Sequence, residues 1–533
     1  MVHFKPIDFA HTSFFSPLVI DYNNQSERLN PFYNFSNDYE GIENAIKKIN
    51  SFEYEREILI NTLIKQYQNI DYKEYINFEL LLKETTFALV TAHQPIIFGG
   101  PLFLVLKIAN TIRLSQDLKK SFPTFDFIPL YWMGSEDHDM DEIGQMQLFG
   151  KKIIWNDGEM MGPSGRKPIE SIENVLNQLK DILGNSPNAV KLKEILEEAY
   201  TGDKDLKSAT RHFIHALFGK YGLVIIDGDD VDLKKIFVPI IKREIFEKIA
   251  FERVEKKAAL LNGLGYKRQA TPRPINFFYQ KNNFRERIIW DDLKQLYTIN
   301  NQEINFTHDE MLIEIENNPQ NFSPNVIMRP VYQQMVLPSI SFIGGGGEIS
   351  YWLQLKDVFE EFNAFFPVLL LRNSLQPILQ PQLKKWQKMG LDLSIIFDKV
   401  KDIQSQYLSF QKVEEIDIED ALRDLNLAFN KLNIISKEID TNLLETISAE
   451  KRKAENAFKQ IKAKLTKAQN LKFENQFKQI ENIKNSWFPN ENLWEREESF
   501  MALYLKFGDS IFNILIESMT PIDKKFYLMV DDL

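Results

Sequence analysis

Short apolar runs alternate with helical stretches in the first two thirds of the chain. The apolar runs that predict buried strands are FALVTA (87–92), DFIPLYWMG (126–134), GLVIIDGDD (222–230) and FFPVLLL (365–371). Between the first two lies PLFLVLKIANTIRLSQDL, whose apolar residues recur at helical spacing. Apolar strands separated by helices are typical of a parallel sheet with crossover helices. The pattern therefore predicts an α/β core of the nucleotide-binding type.

The pattern changes after about residue 378, where apolar residues recur in steps of three and four. The first stretch contains Leu425, Phe429, Leu432, Ile439 and Leu443, and the second contains Ala454, Phe458, Ile461, Leu465 and Ala468. Such a stripe predicts a coiled coil, and the intervening TNLLETISAE could reverse the chain into an antiparallel hairpin. A second subunit or a partner helix is expected to bury the stripe. Lys and Arg outnumber Glu nearby, which indicates a solvated helix face rather than a nucleic-acid surface.

The places where these patterns stop give the expected domain boundaries. The expected parts are a core at 1–144, 216–261 and 326–377, insertions at 145–215 and 262–325, a coiled coil at 378–490, and a closing helical segment with a tail at 491–533. The predicted fold is thus an α/β parallel-sheet core with inserted connecting segments, followed by a long α-helical coiled coil.

Composition narrows the class of protein. None of the 533 residues is cysteine, which excludes disulfides, Cys-based zinc sites and a thiol nucleophile, and favours a cytoplasmic location. The formal charge of −11 argues against generic nucleic-acid binding, which needs a basic face. No apolar stretch approaches the roughly 18 residues that span a bilayer, and the first residues lack a signal-peptide pattern. We expect a large soluble protein that binds neither nucleic acid nor membrane.

The motif HQPIIFGGP directly follows the first predicted strand. Its candidate residues, with one lysine two helical turns further on, are His93, Gln94, Gly99, Gly100 and Lys107. Ligands of open parallel sheets bind at the carboxyl ends of strands, and a helix N-terminus attracts anions. The motif predicts contacts to a phosphate or a leaving group. The alternative, in which His93 caps a turn and the glycines only let the helix pack, stays open.

The second motif, SEDHDMDE, follows the second predicted strand and crowds titratable side chains together. Its candidates are Ser135, Glu136, Asp137, His138 and Asp139. Capping and the dipole of a following helix explain part of the acidity. The remainder suggests that Asp137 and Asp139 hold Mg²⁺ or that carboxylates bind a substrate amine, while His138 transfers a proton.

Four consecutive glycines, at 344–347, form the centre of the third motif. A glycine run is costly in backbone entropy, which suggests a ligand that approaches the backbone closely; a flexible hinge is the alternative. Candidate residues around the run are Arg329, Gln333, Gly345, Gly346, Gly347, Glu348, Tyr351 and Arg372. The arginines are suited to carboxylate or phosphate.

Together the motifs resemble the bacillithiol biosynthesis cysteine-adding enzyme family, whose members are also called cysteine ligases. The resemblance rests on four stretches in the same order: HQPIIFGGPLFLVLKI, YWMGSEDHDMDEI, RPVYQQMVLPSISFIGGGGEISYW and FPNENLWERE. It implies a Rossmann-like core, similar to that of class I aminoacyl-tRNA synthetases, with two connecting segments and a coiled coil that forms a homodimer.

The resemblance also implies an activity. The protein would join cysteine to the amine of glucosaminyl malate in the last step of bacillithiol synthesis, with ATP as cosubstrate. By position, residues 93–100 match the family's nucleotide-loop motif, 135–139 its acidic motif and 344–348 its glycine motif. Together with the chemistry of the neighbouring residues, this gives His93, Gln94, Gly99, Gly100, Lys107, Gly345, Gly346 and Gly347 as candidates for nucleotide binding. The candidates for catalysis are His93, Asp137 and His138, and those for substrate binding are Ser135, Glu136, Arg329, Gln333, Glu348, Tyr351 and Arg372.

Two other functions remain open from the sequence. One is an adenylate-forming or nucleotidyl-transfer enzyme of the same fold that uses another acceptor. The other is a coiled-coil scaffold in which the nucleotide fold is vestigial, which would have no need for the glycine run or the acidic motif.

Overall fold

A computed structural model of the chain describes residues 2–156 and 162–531. The described chain divides into two compact units. The larger unit comprises His3–Pro377 and Asn492–Met529, and the smaller unit is formed mainly by Ile378–Glu491. Within the described residues, no helix has both the length and the apolar character required to cross a membrane.

Strands and helices alternate through most of the larger unit, and the smaller unit is mainly helical. The elements of both units are numbered together in chain order. The strands are β1 (Val2–Ile7), β2 (Thr86–His93), β3 (Asp126–Met133), β4 (Gln145–Leu148), β5 (Lys151–Ile154), β6 (Val224–Asp227), β7 (Phe277–Lys281), β8 (Phe284–Asp291), β9 (Leu296–Ile299), β10 (Asn305–Phe306), β11 (Phe322–Pro324), β12 (Ser339–Gly344), β13 (Val368–Leu371), β14 (Ser374–Ile378) and β15 (Phe526–Asp531). The helices are α1 (Pro17–Asn23), α2 (Tyr39–Ile49), α3 (Arg56–Gln66), α4 (Leu102–Ser121), α5 (Met140–Ile143), α6 (Glu173–Leu183), α7 (Pro187–Tyr200), α8 (Leu206–Phe218), α9 (Val231–Glu247), α10 (Ile249–Gly263), α11 (His308–Asn317), α12 (Met328–Val336), α13 (Gly346–Trp352), α14 (Lys356–Glu361), α15 (Gln380–Lys388), α16 (Val400–Phe410), α17 (Glu419–Ile439), α18 (Leu443–Leu471), α19 (Glu474–Trp487), α20 (Trp494–Glu497), α21 (Met501–Phe507) and α22 (Ser510–Ser518).

The central sheet has the strand order β13-β12-β2-β3-β6, and its neighbouring strands pair in parallel. The four strands predicted from apolar runs are β2, β3, β6 and β13, so the predicted α/β parallel-sheet core is confirmed. Strand β12 was not predicted, because its sequence, SISFIG, alternates serine with apolar residues and runs into the glycines. It lies between β13 and β2, and it therefore brings the glycine run beside the exit of β2.

The core of the larger unit surrounds this sheet. One cluster of fully or nearly fully buried apolar side chains joins the sheet to α4 and α2; it includes Phe87, Leu89, Leu114, Leu118, Ile340, Ile343, Val368 and Leu370. Parallel sheets are covered on both faces, which explains why the strands are apolar runs rather than alternating patterns. Each Å² of apolar surface removed from water stabilises the fold by about 25 cal/mol, so this cluster is a main source of stability.

Two groups of elements interrupt the central sheet. Between β3 and β6 lie the antiparallel pair β4-β5 and the helices α6, α7 and α8. Between β6 and β12 lies an antiparallel sheet with the order β10-β9-β8-β7-β11. The second group contributes side chains to the site described below.

The smaller unit contains the predicted coiled coil. Helices α17 and α18 pack against each other, and Lys462 of α18 lies 3.5 Å from Glu415, which precedes α17. Gln469 donates to the Glu414 carbonyl at 2.9 Å, so the end of α18 lies beside the start of α17 and the pair is antiparallel. The reversal occurs at residues 440–442. Most of TNLLETISAE, which we expected to form the turn, instead begins α18.

The apolar stripe is not buried within the hairpin. Several of its predicted members are exposed, with relative accessibilities of 46% for Leu432, 74% for Ile439, 42% for Leu443, 51% for Ile461 and 47% for Leu465. In contrast, Ser436 of α17 is buried. Leu425, Phe429, Ala454 and Phe458 are half-buried. The hairpin therefore covers part of the stripe and leaves its other members accessible.

Candidate active site

The carboxyl ends of β2, β3 and β12 border a cavity of about 280 Å³, which we call the edge cavity. Its lining includes His93, Gln94, Lys107, Arg329, Gln333, Gly345, Gly347, Glu348, Tyr351 and Arg372, all of which were candidates from the sequence. Open parallel sheets bind ligands at this edge. The structure thus joins the first and third motifs in one cavity, although about 250 residues separate them along the chain.

A second cavity, of about 700 Å³, adjoins the first, and we call it the arginine cavity. Its lining includes Asp137, His138 and Asp139 of the second motif and Arg273, Arg285 and Arg287 from the second group of inserted elements. Arg329 and Val326 line both cavities. The three motifs therefore meet at one composite site, with Arg329 on the shared wall.

His93 is a neutral imidazole with one nitrogen available. Its Nδ1 lies 3.0 Å from the Gln94 carbonyl oxygen, and since a carbonyl only accepts, Nδ1 carries the proton. Burial and the neighbouring Lys107 lower the pKa of His93 to about 4. The unprotonated Nε2 lies 3.7 Å from Oε1 of Glu142. His93 can therefore accept a proton or a hydrogen bond at Nε2.

Lys107 is held by a carboxylate in the edge cavity. Its Nζ lies 2.5 Å from Oε2 of Glu348 and donates to the Ala92 carbonyl at 2.9 Å. Burial lowers the pKa of Lys107, and the ion pair with Glu348 opposes that effect. Glu348 also accepts from the Gly345 amide at 2.8 Å. An anion that binds Lys107 would share it with Glu348.

Asp137 is surrounded by donors and positive charge. Gln94 donates to Oδ2 at 2.8 Å, and guanidinium nitrogens of Arg285 and Arg329 each lie 3.6 Å from the carboxylate. Burial acts to raise the pKa of Asp137, but Arg329 and Arg285 outweigh it and the pKa falls below its usual value. Asp137 is thus an ionised carboxylate that orients both arginines.

These contacts do not fit the magnesium site predicted at Asp137 and Asp139. Both oxygens of Asp137 already accept hydrogen bonds, and Asp139 caps α5 by accepting from the Glu142 amide at 3.3 Å. Among the residues that the structure describes, no group of three or more His, Asp or Glu side chains is arranged to hold a metal ion. The predicted magnesium site at these two residues therefore does not match their surroundings.

His138 differs from His93 in its tautomer. Nη1 of Arg285 lies 3.2 Å from Nδ1 of His138, and because a guanidinium only donates, Nδ1 accepts and Nε2 carries the proton. Burial and Arg285 lower the pKa of His138. His138 is therefore placed as a donor at Nε2. The proton transfer predicted for it would first require the contact with Arg285 to break.

The buried donors that line the edge cavity and have no hydrogen-bond partner among the described residues include Nε2 of Gln333 and Nε of Arg372. Both residues are about 2% exposed. The other nitrogens of Arg372 are engaged, since Nη2 lies 2.8 Å from Glu495 and Nη1 donates to the Asn373 carbonyl and to Ser374. Unpartnered buried donors are costly, so they point to a ligand that accepts hydrogen bonds.

The glycine run borders the edge cavity at Gly345 and Gly347. Gly345 has an ordinary φ of −75°, and a Cβ on Gly347 would meet no atom of the described chain within 4 Å. Both line the edge cavity, whereas Gly346 faces Phe15 and Val19 at about 3.5 Å. Backbone conformation does not require glycine at 345, and steric contact does not require it at 347. A ligand in the edge cavity would therefore have access to the backbone at these two positions.

Comparison with known proteins identifies the family. The family described as "Bacillithiol biosynthesis BshC, N-terminal Rossmann-like domain" matches residues 2–373, and "Bacillithiol biosynthesis BshC, C-terminal coiled-coil domain" matches residues 377–530. The chain belongs to the BshC family. A Flavobacterium johnsoniae protein named "Putative cysteine ligase BshC" is 37% identical over 98% of this chain and 99% of its own length. A protein of the same name from Christiangramia forsetii is 34% identical over 98% of this chain and 98% of its own length. Another, from Bacillus cereus, is 26% identical over 80% of this chain and 81% of its own length.

In this BshC family member, the side chains of Ser135 and Glu136 contact β6 and α9 and do not line either cavity. Ser135 donates to Asp227 at the end of β6, and Glu136 forms a buried ion pair with Lys234 of α9. Both lie outside the linings of the two cavities as the described residues form them. The substrate-binding role predicted for them is therefore not supported. Their contacts fix the loop that presents Asp137.

Gly99 and Gly100 are likewise placed in the packing of the BshC fold. Their φ values of 79° and 57° are positive, and their amides donate to carbonyls within the same loop. A Cβ on Gly99 would lie 3.0 Å from the ring of Phe213, and the Leu102 amide at the start of α4 donates to the Glu498 carbonyl at 2.9 Å. The geometry favours the alternative in which these glycines let the helix pack, not the predicted phosphate contact. For Gly346, the packing against α1 argues in the same direction.

Several residues of the BshC site were missed in the sequence. Arg496 and Phe103 line the edge cavity, as does Glu142, which the second motif contains but which was given no separate role. Arg273, Arg285 and Arg287 line the arginine cavity. Arg496 lies within FPNENLWERE, so the fourth matched stretch held a signal. The alternation of Arg285 and Arg287 along a strand was a further signal, but its location beside the second motif depends on the tertiary fold.

Gly347→Ala tests whether the edge cavity holds a ligand against the backbone. We expect the melting temperature to stay the same or rise slightly, because alanine is favoured over glycine by up to about 1 kcal/mol in a helix. Ligand affinity should fall, because the methyl group occupies the open space. Isothermal titration with ATP and with cysteine measures the effect. Gly263→Ala, another helical position with open space, is the matched control; equal affinities in both variants would contradict the interpretation.

Proposed function

We propose that this protein is a cysteine ligase that forms an amide bond between the carboxyl group of L-cysteine and the amine of glucosaminyl malate. The reaction would be the last step of bacillithiol synthesis and would use ATP. Membership of the BshC family supports this proposal. The main structural support is the edge cavity, which is lined by Lys107, Arg329, Arg372 and Arg496 and contains unpartnered buried donors, among them Nε of Arg372 and Nε2 of Gln333. We further propose a cytoplasmic location, which the absence of cysteine favours.

Amide formation from a free carboxylate requires activation, as an acyl adenylate or an acyl phosphate. The cationic side chains of the edge cavity would neutralise phosphate charge as the activated ester forms and as the phosphate or AMP leaves. Gln333 Nε2 and Arg372 Nε are free to donate to oxygens of the same group. The edge cavity is thus suited to hold the activated cysteine.

The second half-reaction needs a proton acceptor. The acceptor's amine nitrogen forms the new bond to the cysteine carbonyl carbon, the phosphate or AMP leaves with the electrons of the C–O bond, and the nitrogen loses a proton. The Nε2 of His93 is available to accept it, since Nδ1 already carries one. Glu142, at 3.7 Å, would stabilise the imidazolium that results.

The direct test supplies purified protein with ATP, cysteine and glucosaminyl malate and follows the thiol product by mass spectrometry. We expect product only when all three are present, and the nucleotide formed will distinguish AMP from ADP. No product from intact substrates would contradict the proposal. Exchange of pyrophosphate into ATP without cysteine would instead favour an adenylate-forming enzyme with another acceptor.

We also propose that the hairpin of α17 and α18 forms a homodimer. Leu432, Ile435 and Ile439 recur with steps of three and four on one side of α17, and each is at least 46% exposed. An exposed stripe of large apolar side chains indicates a protein interface.

Ile435→Lys combined with Ile439→Lys tests this interface. We expect light scattering to show a dimer for the natural sequence and a monomer for the double variant, because two charges would be buried at the contact. Thermal unfolding of the larger unit should not change. Arg423→Glu, nine residues before Leu432 and so on the opposite side of the helix, should leave the mass unchanged. A dimer that survives the double variant would rule out this stripe as the interface.

A further inference from the structure

We infer that the arginine cavity binds the two carboxylates of the acceptor, and that Arg273 and Arg287 are the residues that bind them. This inference rests on the proposed function, because it assigns one of the substrates to a part of the composite site. It concerns residues of the inserted antiparallel sheet, to which the sequence motifs gave no role.

The inserted sheet presents its positive side chains to the cavity. Arg285 and Arg287 are two residues apart on β8, so both side chains lie on the same face of the sheet. Phe278 of β7 is paired with Arg287 across the strands, and its ring lies 3.9 Å from the guanidinium carbon of Arg285. Arg273 lies just before β7. All four residues line the cavity.

Two of the cavity's four arginines already have carboxylate partners, and two do not. Arg285 and Arg329 both face Asp137 at 3.6 Å. The side chains of Arg273 and Arg287 have no acidic partner within 4 Å among the described residues, and both residues are exposed rather than buried in the protein. Of the other acidic residues in the lining, Asp139 caps α5, and Asp141 forms no ion pair with Arg273 or Arg287 within 4 Å. Two guanidinium groups therefore remain available to an anion.

The available donors match a molecule with more than one carboxylate. A guanidinium group presents parallel N–H donors that fit both oxygens of a carboxylate, so two such groups suit a dicarboxylate. His138 adds a neutral donor at Nε2, as its contact with Arg285 dictates. A phosphate chain would use the same donors. We assign the dicarboxylate here because the phosphate-binding position of an open parallel sheet is its carboxyl edge, where the other cavity lies.

The shared wall explains how the acceptor would reach the reaction centre. Arg329 and Val326 line both cavities, and Gln94 of the edge cavity donates to Asp137 of the arginine cavity. An acceptor held through its carboxylates at Arg273 and Arg287 would extend its other end, which bears the amine, toward this wall. The activated cysteine would approach from the opposite side.

The test measures binding of L-malate, glucosaminyl malate and ATP by isothermal titration, in the protein of natural sequence and in Arg273→Ala, Arg287→Ala and the double variant. We expect each single variant to weaken binding of glucosaminyl malate about tenfold and the double variant about 100-fold, with malate following the same order. ATP affinity should stay within about twofold. Arg287→Lys should recover part of the affinity because it restores the charge. Arg268→Ala, which removes an exposed arginine paired with Glu255, is the control.

The outcomes separate this inference from the proposed function. If the natural protein forms the thiol product but the double variant keeps the KM and affinity for glucosaminyl malate, the inference is overturned and the ligase assignment stands. If the natural protein forms no product but the variants lose affinity for malate or glucosaminyl malate, the cavity assignment stands without the ligase. A loss of ATP affinity with unchanged binding of both carboxylate ligands would assign the cavity to nucleotide and overturn the inference. Melting curves for each variant confirm that the fold is retained.

Discussion

His93→Ala is expected to lower kcat by a factor of about 10²–10⁴, the usual contribution of a positioned general base, while the melting temperature changes little. The physical reason is the tautomer: Nδ1 donates to the Gln94 carbonyl, so Nε2 faces Glu142 with a free lone pair. The ring also contacts Phe103, with the centroids 5.1 Å apart, which is a modest packing contribution. Steady-state kinetics with all three substrates and a thermal melt measure the two effects separately.

The pH dependence gives this prediction a second readout. Because the pKa of His93 is about 4, the imidazole is neutral above about pH 5 and its contribution to the rate is constant there. Below that range it becomes protonated and the rate should fall; His93→Ala should lack this loss. His11→Ala, an exposed histidine, is the control. A raised KM for ATP with unchanged kcat would make His93 a binding residue, and a large loss of stability would make it structural.

Four of the five strands of the central sheet could be predicted from the sequence, because each is a local run of apolar residues. FALVTA and FFPVLLL are uninterrupted apolar runs, which is what a strand buried on both faces requires. SISFIG was missed because two serines divide its apolar residues, and only its position between β13 and β2 makes all six residues buried. The position predicted for the turn of the hairpin was wrong because residues 443–450 are mostly good helix formers and begin α18. The chain reverses within only three residues, 440–442.

The candidate site could be predicted where position alone decides the role. His93 and Gln94 lie at the exit of β2, and a strand exit in a parallel sheet faces the binding edge. The sequence does not show toward which neighbour a backbone amide or a side chain points. The amides of Gly99 and Gly100 bond within their own loop, and the side chains of Ser135 and Glu136 turn toward β6 and α9. Arg285 and Arg287 required tertiary information, since more than 130 residues separate them from the second motif.

Glu495→Ala is expected to destabilise the larger unit strongly. Arg372 and Glu495 form an ion pair at 2.8 Å with side chains only 3% and 0% exposed. Removing the carboxylate leaves the guanidinium buried without its charge partner, which typically costs about 3–5 kcal/mol. The Leu375 amide also loses the acceptor to which it donates at 2.7 Å. Urea unfolding measures the change in the free energy of unfolding. Glu43→Ala, which removes one partner of an exposed ion pair, should leave that free energy nearly unchanged.

The double variant Arg372→Met, Glu495→Leu separates the structural role of this ion pair from its role in the site. Replacing both charges by apolar side chains removes the unpaired buried charge, so most of the stability lost in Glu495→Ala should return. Turnover should not return, because Nε of Arg372 is one of the unpartnered donors in the edge cavity and Met cannot supply it. If the stable double variant kept full activity, Arg372 would only hold α20 against β14, and the edge cavity would bind its ligand without it.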